Sequence, residues 1–149
     1  MKWVAAIILF VLNGQAMAAS MPARPMRVMS LKICTDALLL DLVPPARIAS
    51  VTFMSHEPAA LRFWPQAAQV AVNHGSAEEI LATRPDLILT DPYMPASMRA
   101  LLAKSGVRVL DVPPAETFEQ IRAVTRMVAR ALGETARGEA LIARMDAAQ

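Results

Sequence analysis

The sequence predicts an α/β fold, a parallel sheet carrying helices on both faces, and three observations lead there. Short apolar runs alternate with helical patterns along most of the chain. The run Leu87-Ile88-Leu89 is too brief for a helix and is bounded by turn formers, which suits a strand buried on both faces. Two capping boxes, Ser76 with Glu79 and Thr117 with Gln120, mark helix starts between such runs.

In order, Met1 to Ala18 reads as a secretory leader: Lys2 supplies the charge, Trp3 to Leu12 the apolar core, and Ala16-Met17-Ala18 a small-x-small cleavage site. The apolar run is shorter than the ~20 residues that span a bilayer. No cysteine follows it closely, Cys34 being the only one, so the expectation is a periplasmic protein cleaved after Ala18. Residues 19–26, with Pro22 and Pro25, are expected to be loose. Arg27 to Leu31 reads as the first strand, and Lys32-Ile33-Cys34 as its turn. A helix opening at Cys34 or Thr35 runs to about Val43, where Pro44-Pro45 stops it. Arg47 to Thr52 is a second strand, and so short a strand-helix-strand connection favours a parallel pair.

Phe53 to Pro58 reads as a loop, and the segment with Leu61, Phe63, Trp64 and Pro65 as a short helix and covering loop. The Ser76 helix is short because Pro85 has no N–H and pushes Arg84 out of the helical region. The Leu87 strand ends at Thr90-Asp91-Pro92-Tyr93. A helix from about Pro95 to Ser105 follows, with Met98, Leu101 and Leu102 on one face and Gly106 at its end. Val107 to Val112 alternates apolar and polar side chains, so this fourth strand is placed nearer a sheet edge. The Thr117 helix carries Ile121, Val124, Met127, Val128 and Leu132 up to Gly133. Glu134 to Ala148 is helical by propensity, but Leu141, Met145 and Ala148 give it a narrow apolar stripe, which calls for a partner.

The chain has 149 residues and a formal charge of +2, which falls to +1 when residues 1–18 take Lys2 and no acid with them. With no basic cluster, nothing favours a nucleic acid partner. One cysteine excludes an internal disulfide, and low glycine with an apolar majority argues against disorder.

Two motifs carry a family likeness. The glycine-led Ser76-Ala77-Glu78-Glu79-Ile80-Leu81-Ala82-Thr83-Arg84-Pro85-Asp86-Leu87-Ile88-Leu89 resembles a segment of the periplasmic binding proteins for cobalamin and ferric siderophores, the soluble receptors of ABC importers. Arg27 to Leu40 is similar to the same family's opening strand and helix. The resemblance implies two α/β lobes joined by a long helix, with the ligand between them. On that reading residues 27–133 are the first lobe and residues 134–149 begin the connecting helix. The expectation is then a fragment, a truncated product or a shortened relative without a second lobe.

In an open parallel sheet, ligands approach the carboxyl ends of the strands. The segments Lys32–Cys34, Phe53–His56, Asp91–Tyr93 and Pro113–Glu116 end there, and Asn73–Gly75 joins them if it folds over that rim. Lys32 either pairs with ligand carboxylates or is solvated. Met54 and Tyr93, with Phe53, stand where the resemblance implies side chains packed on a ring system; otherwise they fold onto the core. Cys34 is expected to be a buried small apolar residue, although a helix start can lower a thiol's pKa.

His56 and His74 invite a metal reading with Cys34, Asp91 or Glu57 as additions, but a direct site takes three or four ligands. Ordinary loop histidines, or contacts to a metal already chelated, fit better. Glu79 is used by its capping box. Glu78 gains about 0.3–1 kcal/mol from the helix dipole; the resemblance instead matches it to the first-lobe glutamate that pairs with permease arginines.

No Gly-x-Gly-x-x-Gly or phosphate loop appears, Ser76 is a cap, and Asp36 and Asp41 fall on different helix faces, so no acid/base pair is argued. The expected function is capture of a small-molecule metal chelate, corrinoid or ferric siderophore, for an ABC importer permease, with no cofactor and no catalysis. A bare metal-ion receptor and a small exported hydrolase are the alternatives. Dependence of an activity on Cys34 would favour the hydrolase.

Overall fold

The computed structural model describes residues 24–148. The leader assigned to residues 1–18 lies outside them, as does most of 19–26. Five strands form one parallel sheet: β1 Val28–Ser30, β2 Ile48–Thr52, β3 Val72–Asn73, β4 Leu87–Thr90 and β5 Arg108–Asp111, in the order β3-β2-β1-β4-β5. Six α-helices accompany them: α1 Ile33–Leu42, α2 Pro58–Leu61, α3 Ala77–Thr83, α4 Ala96–Ser105, α5 Phe118–Leu132 and α6 Thr135–Ala147. Three 3-10 turns, Pro45–Arg47, Phe53–His56 and Pro65–Gln69, fill the longer connections.

The period-2 geometry of the strands divides the core between two layers. Val28, Leu87 and Leu89 face α1, α5 and α6, meeting Leu39, Leu42, Val128 and Leu132. Met29 and Ile88 point the other way, toward Ile80 of α3 and Leu102 of α4. Both sides of β1 and β4 are therefore covered, and all their residues are buried. Each leucine taken fully out of water contributes about 1.5–3 kcal/mol, so the three helices on the first face hold most of the stability.

Both capping boxes form: Ser76 accepts from the Glu79 N–H and Thr117 from the Gln120 N–H, each with the reciprocal bond. Arg84 follows α3 in the left-handed region, φ 48°, and Pro85 excludes any further turn. β5 lies at one edge of the sheet, as its alternation predicts, and exposes Arg108 and Asp111.

Three expectations need correction. A fifth strand, β3, was not foreseen. It is two residues long, and neither alternation nor an apolar run can announce so short an element. The described end of the supposedly loose segment is tied down: Pro25 is buried and its carbonyl accepts from Arg47 Nη2 at 2.7 Å, while the Met26 N–H donates to Asp86 at 2.7 Å.

The third correction concerns α6, which finds its partner within this domain. Leu141 and Ile142 are buried, and a Cβ at Gly138 would lie 2.5 Å from the Ala129 Cβ, so the helices touch where glycine removes the side chain. Gly133, at φ 70°, turns the chain back, and Arg122–Asp146 and Arg126–Glu139 bridge the resulting hairpin.

Candidate functional site, a cleft at the carboxyl ends of the strands

The chain leaves β1 toward β2 and β3, then crosses back through α3 to place β4 on the other side of β1. The carboxyl ends of β1 and β4 therefore part around a topological switch point, where open α/β sheets form their crevices. A cleft of about 670 Å³ opens there, mostly apolar, between the tips of β1, β4 and β5, helix α1 and the α5/α6 pair.

The turn after β1 is fixed by its own polar groups. Ser30 Oγ and Thr35 Oγ1 lie 2.7 Å apart, Thr35 Oγ1 donates to the Lys32 carbonyl at 2.9 Å, and that carbonyl also receives the Asp36 N–H. Lys32 is thus held by its backbone and its side chain spans the switch point, with Nζ 2.9 Å from Asp91 Oδ2. Burial opposes ionisation of Asp91, but the Lys32 ammonium and the Tyr93 N–H outweigh it and hold the carboxyl below its ordinary value. The Tyr93 N–H bonds Asp91 Oδ1 at 2.9 Å and so sets the base of an aromatic ring that is 75 % exposed.

Lys32, Cys34, Met54 and Tyr93 all line this cleft. Cys34 is exposed rather than buried, because the first turn of α1 points it into the opening. Phe53, 47 % exposed, lies outside the lining and stacks on His74, centroids 5.3 Å apart and planes at 15°. Neither Phe53 nor Tyr93 folds onto the core. His74 Nδ1 is 3.0 Å from Glu79 Oε1. The His74 ring, then the Ser76 and His74 N–H groups, hold the Glu79 carboxyl down at about 2.

His56 is not brought to the cleft. Its Nε2 faces the Ala67 and Val70 carbonyls at 2.9 and 3.1 Å; carbonyls only accept, so this nitrogen carries the proton and serves the Pro65–Gln69 turn. Among the described residues no three His, Cys, Asp or Glu side chains converge as a metal site. Glu78 is exposed in the first turn of α3.

Several residues beneath the rim escaped the sequence reading. Asp36 is wholly buried and Oδ2 accepts from the Thr52 N–H, Thr52 Oγ1 and Ser55 Oγ, which fastens α1 to the tip of β2. Burial raises its pKa despite these donors, and Oδ1, without a partner, is where a proton would sit. Asn73 Nδ2 reaches Ser30 O, Ser50 Oγ and Val51 O, stapling three strand tips. An acid inside the otherwise apolar start of α1 was the available signal for Asp36; nothing local marks Asn73.

A sequence profile for the family described as periplasmic binding protein matches residues 29–148. The chain belongs to this family. Comparison with curated protein sequences finds no significant match. Among solved structures, the chain is similar to a periplasmic heme binding protein from Pseudomonas aeruginosa at 23 % identity and TM-score 0.67, over 82 % of this chain and 43 % of that one. It is similar to the periplasmic heme-binding protein BhuT, solved with two hemes, at 26 % identity and TM-score 0.65, over 80 % and 46 %. The periplasmic vitamin B12 binding protein BtuF of Vibrio cholerae is matched at 21 % identity and TM-score 0.64, over 81 % and 47 %. The chain thus spans less than half the length of each, and its fold is that of one lobe of a periplasmic binding protein.

Proposed function

We propose that this chain is the first, N-terminal lobe of a periplasmic receptor that captures a metal chelate and presents it to the permease of an ABC importer. The observation that carries the reading is the cleft itself: apolar walls at the switch point, with Lys32, Met54 and Tyr93 at its mouth. Such a surface suits a chelate whose metal is already coordinated, because it offers ring-packing side chains and the Lys32–Asp91 ion pair instead of a ligand set. Heme and vitamin B12, named in the titles of the similar structures, are both ring chelates and support the class; ferric siderophores remain within it. Glu78, free of the capping work done by Glu79, is assigned to docking, where an exposed carboxylate chiefly sets orientation and encounter rate.

The test is calorimetric titration of the purified chain with hemin, cyanocobalamin and ferric siderophores. One of them should bind, and Met54→Ala and Tyr93→Ala should each weaken it about three- to tenfold, the worth of one ring contact. Absence of binding to all three, or tighter binding of a free divalent cation, would reject the chelate reading.

A further inference from the structure

The mouth of the cleft carries charge that is already spoken for. Among the described residues that line it, Lys32 is the one cation, against two acids, Asp91 and Asp41. Lys32 Nζ lies 2.9 Å from Asp91 Oδ2, and Asp91 is kept from turning aside because its Oδ1 accepts from the Tyr93 N–H at 2.9 Å. Both partners are fixed at their backbones, since the Lys32 carbonyl is held in turn by Thr35 Oγ1 and the Asp36 N–H. Asp41, farther along α1, accepts from Trp64 Nε1 at 3.1 Å.

An anion drawn to Lys32 therefore meets a carboxylate in place. Two oxygens sharing one ammonium sit no more than about 6 Å apart, twice the length of a hydrogen bond. At that range repulsion by Asp91 offsets most of the attraction to Lys32, while the anion loses its hydration against the apolar walls. An amide loses far less, and the remaining Lys32 hydrogens and Asp91 lone pairs can still bond it.

We propose that Asp91 is a specificity-determining residue of the cleft: it cancels Lys32 and so selects a ring chelate whose edge toward the β1–β4 rim carries amides in preference to carboxylates. The inference rests on the cleft being the chelate site and narrows the chelates that it takes.

Amide and acid have nearly the same shape, so exchanging them changes charge with little change of size. The probes are cyanocobalamin against a monocarboxylic acid made from it by hydrolysis of one side-chain amide, and hemin bis-amide against hemin. Calorimetry with the purified chain reads the affinity ratio within each pair. The ring system that binds should favour its amide form by at least about tenfold. Asp91→Asn, which keeps an oxygen for the Tyr93 N–H and frees Lys32, should bring that ratio to about one or reverse it. Lys32→Met, which leaves Asp91 without its counter-charge, should widen it about three- to tenfold.

An ion pair that only braces the two loops would weaken acid and amide alike and leave the ratio unmoved in both variants. That result would overturn the proposal, as would equal binding of acid and amide by the parent chain; either would leave the chelate reading standing. Binding of none of these compounds would also overturn the inference, and the chelate reading falls with it only if ferric siderophores fail to bind as well.

Discussion

Glu134 joins three distant parts of the chain. It is 7 % exposed, ion-pairs with Arg24, and lies 2.5 Å from Arg47 Nη1, while Arg47 also donates to the carbonyls of Pro25 and Leu132. Burial works against the Glu134 charge, and the two arginines outweigh it, so its carboxyl lies below its ordinary value. Arg47→Met would leave that carboxylate to the more exposed Arg24 and Arg137 and unpair the Pro25 and Leu132 carbonyls, and should cost about 1–3 kcal/mol in urea unfolding; adding Glu134→Leu should recover part of it. Glu79, at about 2 against an ordinary 4.5, acts in the same sense as Glu134. Both folded values are depressed, so their stabilisation is complete above about pH 4.5 and is lost as pH falls through the folded value, which for Glu79 is about 2. Asp36 is raised, so its contribution runs the opposite way, weakening the fold as pH climbs above 3.8. Thermal unfolding followed between pH 2 and 6 should show a shallower acid decline in Glu79→Gln than in the parent. Glu79 was legible because a capping box is a spacing of three residues. The Arg47–Glu134 pair spans 87 positions, and only the folded chain brings it together.

At the scale of elements, the α5/α6 hairpin depends on a missing side chain. Gly138→Ala should force the helices apart at Ala129 and lower stability by about 1–3 kcal/mol, and Ala129→Gly in the same chain should restore most of the loss; chemical denaturation of the four-member set measures the coupling. Of the expected narrow stripe, Leu141 and Met145 pack against the core, while Ala148 is exposed just past the end of α6. Ile142 and Gly138 complete the contact, and a glycine inside a helical pattern carries no sign of the close approach it permits. Helix starts were readable because their chemistry is local. The tips of β2 and β3 were not, because Asp36 and Asn73 act across strands whose adjacency only the sheet order supplies.

For the whole molecule, alternating elements and a buried central strand were enough to foresee a parallel sheet with helices on both faces, and the profile match and the structural likenesses agree. The candidate cleft was half legible: strand ends pointed to Lys32, Cys34, Met54 and Tyr93, which line it, while Phe53 and His74 stack on each other outside the lining and His56 was recruited by carbonyls that no motif announces. The two layers flanking the sheet differ in substance. Seventeen buried residues form the cluster beneath α1, α5 and α6, against four beneath α3 and α4. Backbone amides of α3 and α4 should therefore exchange with deuterium well before those of α1 and α5, by local opening that leaves the thicker side intact; simultaneous exchange of both layers would contradict this. The surface bearing Glu78 is then the compliant side of the sheet and the cleft wall the stiff one, so a load on the outer layer is absorbed there and leaves the cleft's shape unchanged.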